Sequence, residues 1–578
     1  MEVDRLINEA REDFSRGNYK RALNILVKAC KVEPGHDIAQ TNLSYLAYLN
    51  GDIALAISAG KIAVSLNPDR AEAHMNLGNA LRVQGDVEEA IQCLQTAVAK
   101  NSQLAEAWSN LNIAYLDHGE IKLAINAGKQ ALLLNNRLIH AYNNLALTLQ
   151  QAGDAITARQ LLKIAIDLEP GSMFTHDNYL MNLQYLTNVN SREILNSSIR
   201  FGQILGHNTN QHNRVLNKNK KIRIGYVSAD FRCHPVGFFL LPVLLEHDRN
   251  RFEIFIYGNQ QVSDNITQQF KAGVDYWRNI SNSSDEEVLE TIKGDRIDIL
   301  VDLSGHTAGN RLGVFALRAA PVQVSWLGYF ASTGLTNMDY LLLSEDQAPA
   351  GSENFFTEKL YRLPGCQFCY QAPAYAPNLK DSPHCSRGYI TFGTFNNIAK
   401  INGEVIALWS NILKSIPDSV LVLKWKSFKD SELQEVFSQK FTRYGIDQRR
   451  IKMRGYSPHE SLLEEYQDID IALDTFPFSG ALTTCEALWM GVPVITLYQQ
   501  RPVSRQSFSI LKSIGLEELA ARTPEDYLDT AISLAQNQDK LSFLRQDIRQ
   551  RMVNNKAKSL AVNLEEAFKQ MLNLIDAN

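Results

Sequence analysis

Glycine stands at Gly17, Gly51, Gly85, Gly119 and Gly153, each 34 residues after the last. No other feature limits the fold so sharply. Five residues after each glycine comes an alanine: Ala22, Ala56, Ala90, Ala124 and Ala158. Turn-forming residues keep the same phase at Pro34, Pro68, Ser102, Asn136 and Pro170. A period of this length describes two helices with one turn at glycine and another near proline. Glycine admits a turn that a Cβ would strain, and alanine lets two helices approach closely. Each pair leaves an apolar face for its neighbour, so the units must stack as a curved solenoid.

This pattern resembles the tetratricopeptide repeat and is expected to cover residues 1–186. A further series, Asn42, Asn76, Asn110, Asn144 and Asn178, keeps the same 34-residue step. It falls in the first helix of each repeat, the helix that lines the concave side of tetratricopeptide arrays. Two readings stand side by side. The amides cap or tie successive repeats, or they form a ladder that hydrogen-bonds the backbone of an extended peptide whatever its side chains. The second reading makes protein or peptide acceptors the expected partners of the groove.

A chain of 578 residues exceeds one core, and roughly three to four domains are expected. A net charge of −5 offers no footprint for a polyanion, so nucleic acid is not an expected partner. No apolar run is long enough to span a bilayer, and the acidic, amphipathic start has no secretory pattern. Seven scattered cysteines, an odd number, suit a reducing compartment. The expected location is cytoplasmic, without a membrane partner.

Beyond about residue 186 the period ends. A helical stretch and a polar, Asn/Lys-rich run make a linker over 187–220. Short apolar or β-branched runs then alternate with helical segments. The strand candidates are 223–228, 252–257, 298–303 and 321–327, followed by 389–395, 420–425, 470–474 and 492–497. Alternation of this kind implies parallel sheets, and two such series imply two Rossmann-like lobes. They are placed at 221–375 and 388–535, with C-terminal helices over 536–578.

Four segments carry a resemblance: IGYVSADFRCHPVGFF, DILVDLSGHTAGNRLGVFALRAAPVQVSWLGY, TFGTFNNIAK and ALDTFPFSGALTTCEALWMGVPVIT. Together they are similar to the catalytic region of the O-GlcNAc transferase and SPINDLY-like family, over residues 221–535. Members carry N-terminal tetratricopeptide repeats and a catalytic region of two Rossmann lobes, the GT-B type. The expected fold is therefore an α solenoid followed by a two-lobed α/β region. The resemblance implies transfer of a sugar from a nucleotide diphosphate donor to Ser or Thr, with inversion. It implies no cofactor and no metal ligands.

Residue by residue, Lys400 matches the family lysine at the donor diphosphate, where a fixed cation offsets charge on the leaving phosphate. Asn397 matches a donor-contacting amide. Thr483 and Thr484 would begin the helix after 470–474, where free N–H groups attract phosphate, although threonine also caps helices there. Glu486 matches a carboxylate for sugar or ribose hydroxyls. His234 and His306 lie in loops after strands, and either could take the acceptor proton, or a water could, or neither histidine. Leu327 and Gly328 are expected to border the sugar pocket.

The sequence also departs from the O-GlcNAc transferase pattern. Leu462 stands for a base-stacking histidine, His459 for a lysine and Leu482 for a donor-binding threonine. FGTFNNIAKI and LPGCQFCY look closer to the SPINDLY branch, which uses GDP-fucose. UDP-GlcNAc is the expected donor, with GDP-fucose as the alternative. A repeat scaffold carrying an inactive transferase fold is the rival from another class. Asp468 and Asp470 imitate a metal motif but precede their strand. Cys366, Cys369, His384 and Cys385 fall short of a zinc pattern. Arg501 and Arg505 either meet phosphate or face solvent.

Overall fold

The computed structural model describes residues 2–206, 221–553 and 556–576, so the linker expected over 187–220 is described only as far as 206. Two compact units result: Met1–Ala152 with Thr157–Pro170, and Gly153–Ile156 with Gly171–Asn578.

The first unit is the helical array. Paired helices begin with Glu2–Ser15 and Tyr19–Val32 and continue through Asp37–Leu49, Ile53–Leu66, Ala71–Gln84 and Val87–Lys100. Then come Ala105–His118, Ile121–Leu134 and Ile139–Gln151. All five phased glycines have positive φ, from 77° to 105°, the conformation L residues avoid. All five phased alanines are fully buried. Within this unit the first helices of successive repeats pack on one another, from Asp37–Leu49 to Ile139–Gln151.

The second unit holds two parallel sheets. The first lobe contains β1 (Ile222–Ser228), β2 (Phe252–Gly258), β3 (Tyr276–Asn279), β4 (Ile299–Asp302), β5 (Val322–Trp326), β6 (Tyr340–Ser344) and β7 (Lys359–Leu363), ordered β3-β2-β1-β4-β5-β6-β7. The second contains β8 (Thr391–Thr394), β9 (Val420–Lys424), β10 (Ile451–Arg454), β11 (Ile471–Leu473), β12 (Val494–Leu497) and β13 (Ala520–Ala521), ordered β10-β9-β8-β11-β12-β13. Every strand pair is parallel, and helices form most of the crossovers. Each of the eight strand candidates contains a strand.

Five strands escaped the sequence reading. β3, β7, β10 and β13 are sheet edges, short or laced with polar residues, and so lack the buried apolar run of an inner strand. β6 is fully buried, and a run such as YLLLS does not distinguish strand from helix by period.

The helix Met173–Leu183 continues the 34-residue phase but belongs to the second unit. Leu180, and Phe201 from the next helix, join Leu300, Val314 and Leu335 in the core of the first lobe. At the other end, Gln538–Val553 packs on second-lobe helices, whereas Lys556–Asp576 packs on Pro235–Leu245 and β7 of the first lobe. Glu565 ties that last helix down, accepting from the Asp248 N–H at 2.8 Å and lying 3.1 Å from His247 Nδ1. No described helix is long and apolar enough to cross a membrane.

Candidate functional site

The candidate residues gather where strands end. His234 follows β1, His306 follows β4, and Leu327 and Gly328 follow β5. Asn397 and Lys400 follow β8, and Thr483, Thr484 and Glu486 follow β11. Parallel sheets direct their carboxyl ends at ligands, because that is where loops and helix N-termini converge.

Lys400 ends a short turn after β8. Its Nζ donates to the Ser479 carbonyl at 3.0 Å and to Asn396 Oδ1 at 3.3 Å, and lies 4.1 Å from the centre of the Phe478 ring. Burial pulls its pKa down to about 8, against the opposing pull of Asp474. Asn396 is the hub: it also accepts from the Thr483 hydroxyl at 3.0 Å and donates to Asp474 Oδ1 at 3.1 Å. Asn397, the expected donor-contacting amide, accepts from the Ala399 N–H at 3.0 Å and caps the turn. Nothing in the sequence singled out Asn396 as the partner of Lys400. Asp474 was also missed. It accepts from the Thr496 hydroxyl at 2.7 Å and the Gly480 N–H at 2.8 Å, and burial raises its pKa.

The helix Leu482–Trp489 starts beside this cluster. Its N-cap is Ala481, which has no side chain to cap the first turn. Thr483 is engaged by Asn396, and the Thr484 hydroxyl lies 2.8 Å from Ser507 Oγ, so neither threonine is the cap. An uncapped helix start next to a half-buried cation is a place for an anion.

Glu486, in the same helix, is buried, and burial raises its pKa against the opposing effect of His459. His459 Nε2 lies 2.8 Å from Glu486 Oε1, and its Nδ1 lies 2.7 Å from the Tyr375 hydroxyl. The His459 ring stacks on Phe238 of the first lobe at 5.4 Å. One histidine thus joins both lobes and the segment between them. Tyr375 and Phe238 were invisible as partners, because nothing in the sequence pairs positions so far apart.

The two candidate histidines differ in surroundings. His306 is buried: Nδ1 is 2.7 Å from Asp177 Oδ1, Nε2 is 3.0 Å from the Thr333 carbonyl, and Phe201 and Tyr329 meet the ring edge to face. Both nitrogens are engaged, so accepting a substrate proton there requires one bond to open. His234 caps the helix Pro235–Leu245, with Nδ1 3.4 Å from the Val236 N–H and 3.5 Å from Asp230 Oδ2. Among the described residues its Nε2 has no protein partner. Burial lowers its pKa, Asp230 raises it and Arg232 lowers it, with a net fall. Leu327 is buried with φ of 71°, and a Cβ on Gly328 would stand 1.9 Å from the Leu303 carbonyl, which only glycine avoids.

In the repeat array, Asn76 donates to the Thr41 carbonyl at 3.1 Å, and Asn144 donates to the Ser109 carbonyl at 3.2 Å. Both bonds join successive repeats. Asn42 and Asn110 are half-buried with no hydrogen-bond partner among the described residues, and Asn178 is half-buried in Met173–Leu183. The phase also reaches back to Asn8, exposed in the first helix.

Asp470 is buried and accepts from the Ser382 hydroxyl and the Thr391 N–H, while Asp468 pairs with Arg387 and Arg454. Both carboxylates brace the second lobe. All the cysteines are free thiols.

Comparison with known proteins fits this geometry. The model of glycosyl transferase family 41 matches residues 195–384 and 380–566, and two repeat models, a TPR repeat and a tetratricopeptide repeat, match 78–119 and 7–71. The probable UDP-N-acetylglucosamine–peptide N-acetylglucosaminyltransferase SPINDLY of Arabidopsis thaliana is 33% identical over 70% of this chain and 45% of its own length. The UDP-N-acetylglucosamine–peptide N-acetylglucosaminyltransferase of Caenorhabditis elegans is 26% identical over 57% of this chain and 38% of its own. The chain thus spans less than half the length of these curated relatives. A solved mutant of the Thermobaculum terrenum O-GlcNAc transferase superimposes with a TM-score of 0.83 at 31% identity, over 87% of this chain and 98% of that one. With two parallel-sheet lobes, a repeat array and a family match across both lobes, the chain belongs to glycosyl transferase family 41.

Proposed function

We propose that this chain is an inverting protein O-glycosyltransferase that moves GlcNAc from UDP-GlcNAc to Ser or Thr of protein acceptors. The observation that carries the reading is Lys400, a half-buried, desolvated cation beside an uncapped helix start. A departing nucleotide diphosphate needs preorganised positive potential, and this pair supplies it without rearrangement. The acceptor oxygen attacks the anomeric carbon from the face opposite the diphosphate. As that bond forms, the bond from the anomeric carbon to the phosphate oxygen breaks, and its electron pair leaves on the diphosphate. His234 Nε2, unpaired on a ring that burial keeps neutral, is the protein group best placed to take the hydroxyl proton. Glu486 and His459 would hold donor hydroxyls. The nucleotide sugar is a substrate, and the scheme calls for no cofactor.

The names of the curated relatives and of the solved neighbour support UDP-GlcNAc as donor. The test is donor hydrolysis and peptide transfer by the purified chain, with thermal shifts alongside. UDP should raise the melting temperature more than GDP does, because a ligand stabilises the state it binds. Turnover of GDP-fucose with a GDP preference would replace the donor assignment. Absence of turnover with either donor would leave a scaffold.

A further inference from the structure

The segment Gln500–Arg505 has no role in the scheme above, yet its two arginines wall a cavity of about 300 Å³. This cavity opens at the carboxyl ends of β5, β6 and β12, with walls from both lobes of the second unit. Ile194, Phe330, Phe355 and Phe356 provide much of its apolar surface, and no acidic residue lines it. Arg501 is buried and donates to the carbonyls of Leu183 and Leu186 at 3.0 and 2.7 Å, which fixes it in the wall. Arg505 donates from Nε to the Asp346 carbonyl and from Nη1 to the Gln499 carbonyl, and its guanidinium lies against the rings of Tyr498 and Phe508. Its Nη2 has no protein partner among the described residues. The wall is positive, apolar and rigidly held.

Its place matters as much as its chemistry. The Phe330 ring lies 5.0 Å from the Phe478 ring, which itself lies 4.1 Å from Lys400 Nζ. The cavity is therefore two ring contacts from the cation assigned to the leaving diphosphate. The acceptor hydroxyl lies across the anomeric carbon from that cation, and an extended polypeptide, at about 3.3 Å per residue, covers such a distance in a few residues.

We propose that this cavity is an acceptor-sequence subsite. It takes an aromatic or large aliphatic side chain of the acceptor polypeptide, flanked by a carboxylate that meets Arg505. That side chain stands a few residues from the hydroxyl that receives the sugar. The proposal rests on the transferase reading and names the substrate feature that reading leaves open. Charge complementarity selects the acidic neighbour, and the aromatic walls select the apolar side chain.

The test uses the full chain and fluorescent peptides with one central serine, through which an Asp–Phe pair is walked. Affinity is read by fluorescence anisotropy, KM by transfer, and donor hydrolysis without peptide. One register should bind about tenfold tighter than the Ala–Ala peptide, as a well-filled anchor pocket does. Phe355→Ala should cancel that preference, and Arg505→Gln should remove only the part owed to aspartate. Ala331→Phe, which fills the cavity from another wall, should reproduce the loss, and all three should hydrolyse donor at the wild-type rate. Equal affinity at every register would overturn the proposal, as would a preference that survives Phe355→Ala and Ala331→Phe. Competition by phenylacetate as strong as by the best peptide would make this a small-molecule pocket instead. A register preference without any donor turnover would sink the transferase reading and leave the peptide site standing.

Discussion

Lys400 is half-buried, and it is desolvated without a salt bridge among the described residues, a position that costs the empty protein free energy. Its pKa of about 8 gives the sign of two effects. The unfolded lysine keeps its proton to roughly 10.4, so between the two values the unfolded state binds more protons. Stability of the unliganded protein therefore rises with pH across that window. Donor affinity moves the other way, because the cation that meets the diphosphate is lost as pH rises through about 8. Isothermal titration of UDP from pH 7 to 9 should show this fall, and Lys400→Met should show weaker but flat affinity. The same variant should melt no lower than wild type while transfer slows by about a hundredfold or more. Near-normal turnover in that folded variant would mean the leaving charge is neutralised elsewhere.

At the scale of elements, the repeat helices separate two roles that one sequence period had merged. Asn76 and Asn144 donate across repeats, whereas Asn42 and Asn110 have no partner among the described residues. Asn76→Ala or Asn144→Ala should lower array stability by about 1 kcal/mol each, since a hydrogen bond between repeats is lost. Asn42→Ala with Asn110→Ala should leave the melting curve in place and weaken transfer to protein acceptors, sparing donor hydrolysis. Circular dichroism melts and peptide KM values decide it. Equal destabilisation by both pairs would make every rung a structural tie. The inner strands were legible in the same way as the repeats, from runs of buried apolar residues. The edge strands were not, because half of their pairing is missing and polar residues interrupt them.

At the scale of the second unit, the last helix returns to the first lobe through Glu565, His247 and Tyr226, a chain of buried polar groups. Glu565→Ala leaves the Asp248 N–H and His247 Nδ1 without an acceptor, at a cost of about 1–3 kcal/mol. Hydrogen exchange in 556–576 should accelerate in that variant, and Glu565→Gln, which keeps an accepting oxygen, should restore most of the protection. Unchanged exchange in Glu565→Ala would mean apolar packing alone holds the helix. The periodic features of this protein were determined by sequence alone: the 34-residue repeat, its glycine turns and buried alanines, and the alternation of strands and helices in two lobes. Each depends on neighbours a few residues away or on an identical unit one period on, so local chemistry is enough. Lys400, Thr483 and Thr484 were singled out by the family resemblance, and each lies in a segment that follows a recognisable strand. Only the tertiary structure decided that Asn396 rather than Asn397 holds Lys400, that His459 joins the lobes, and that His306 has both nitrogens engaged while His234 keeps one unpaired. Those outcomes depend on side chains that meet across tens to hundreds of residues, where no local propensity acts.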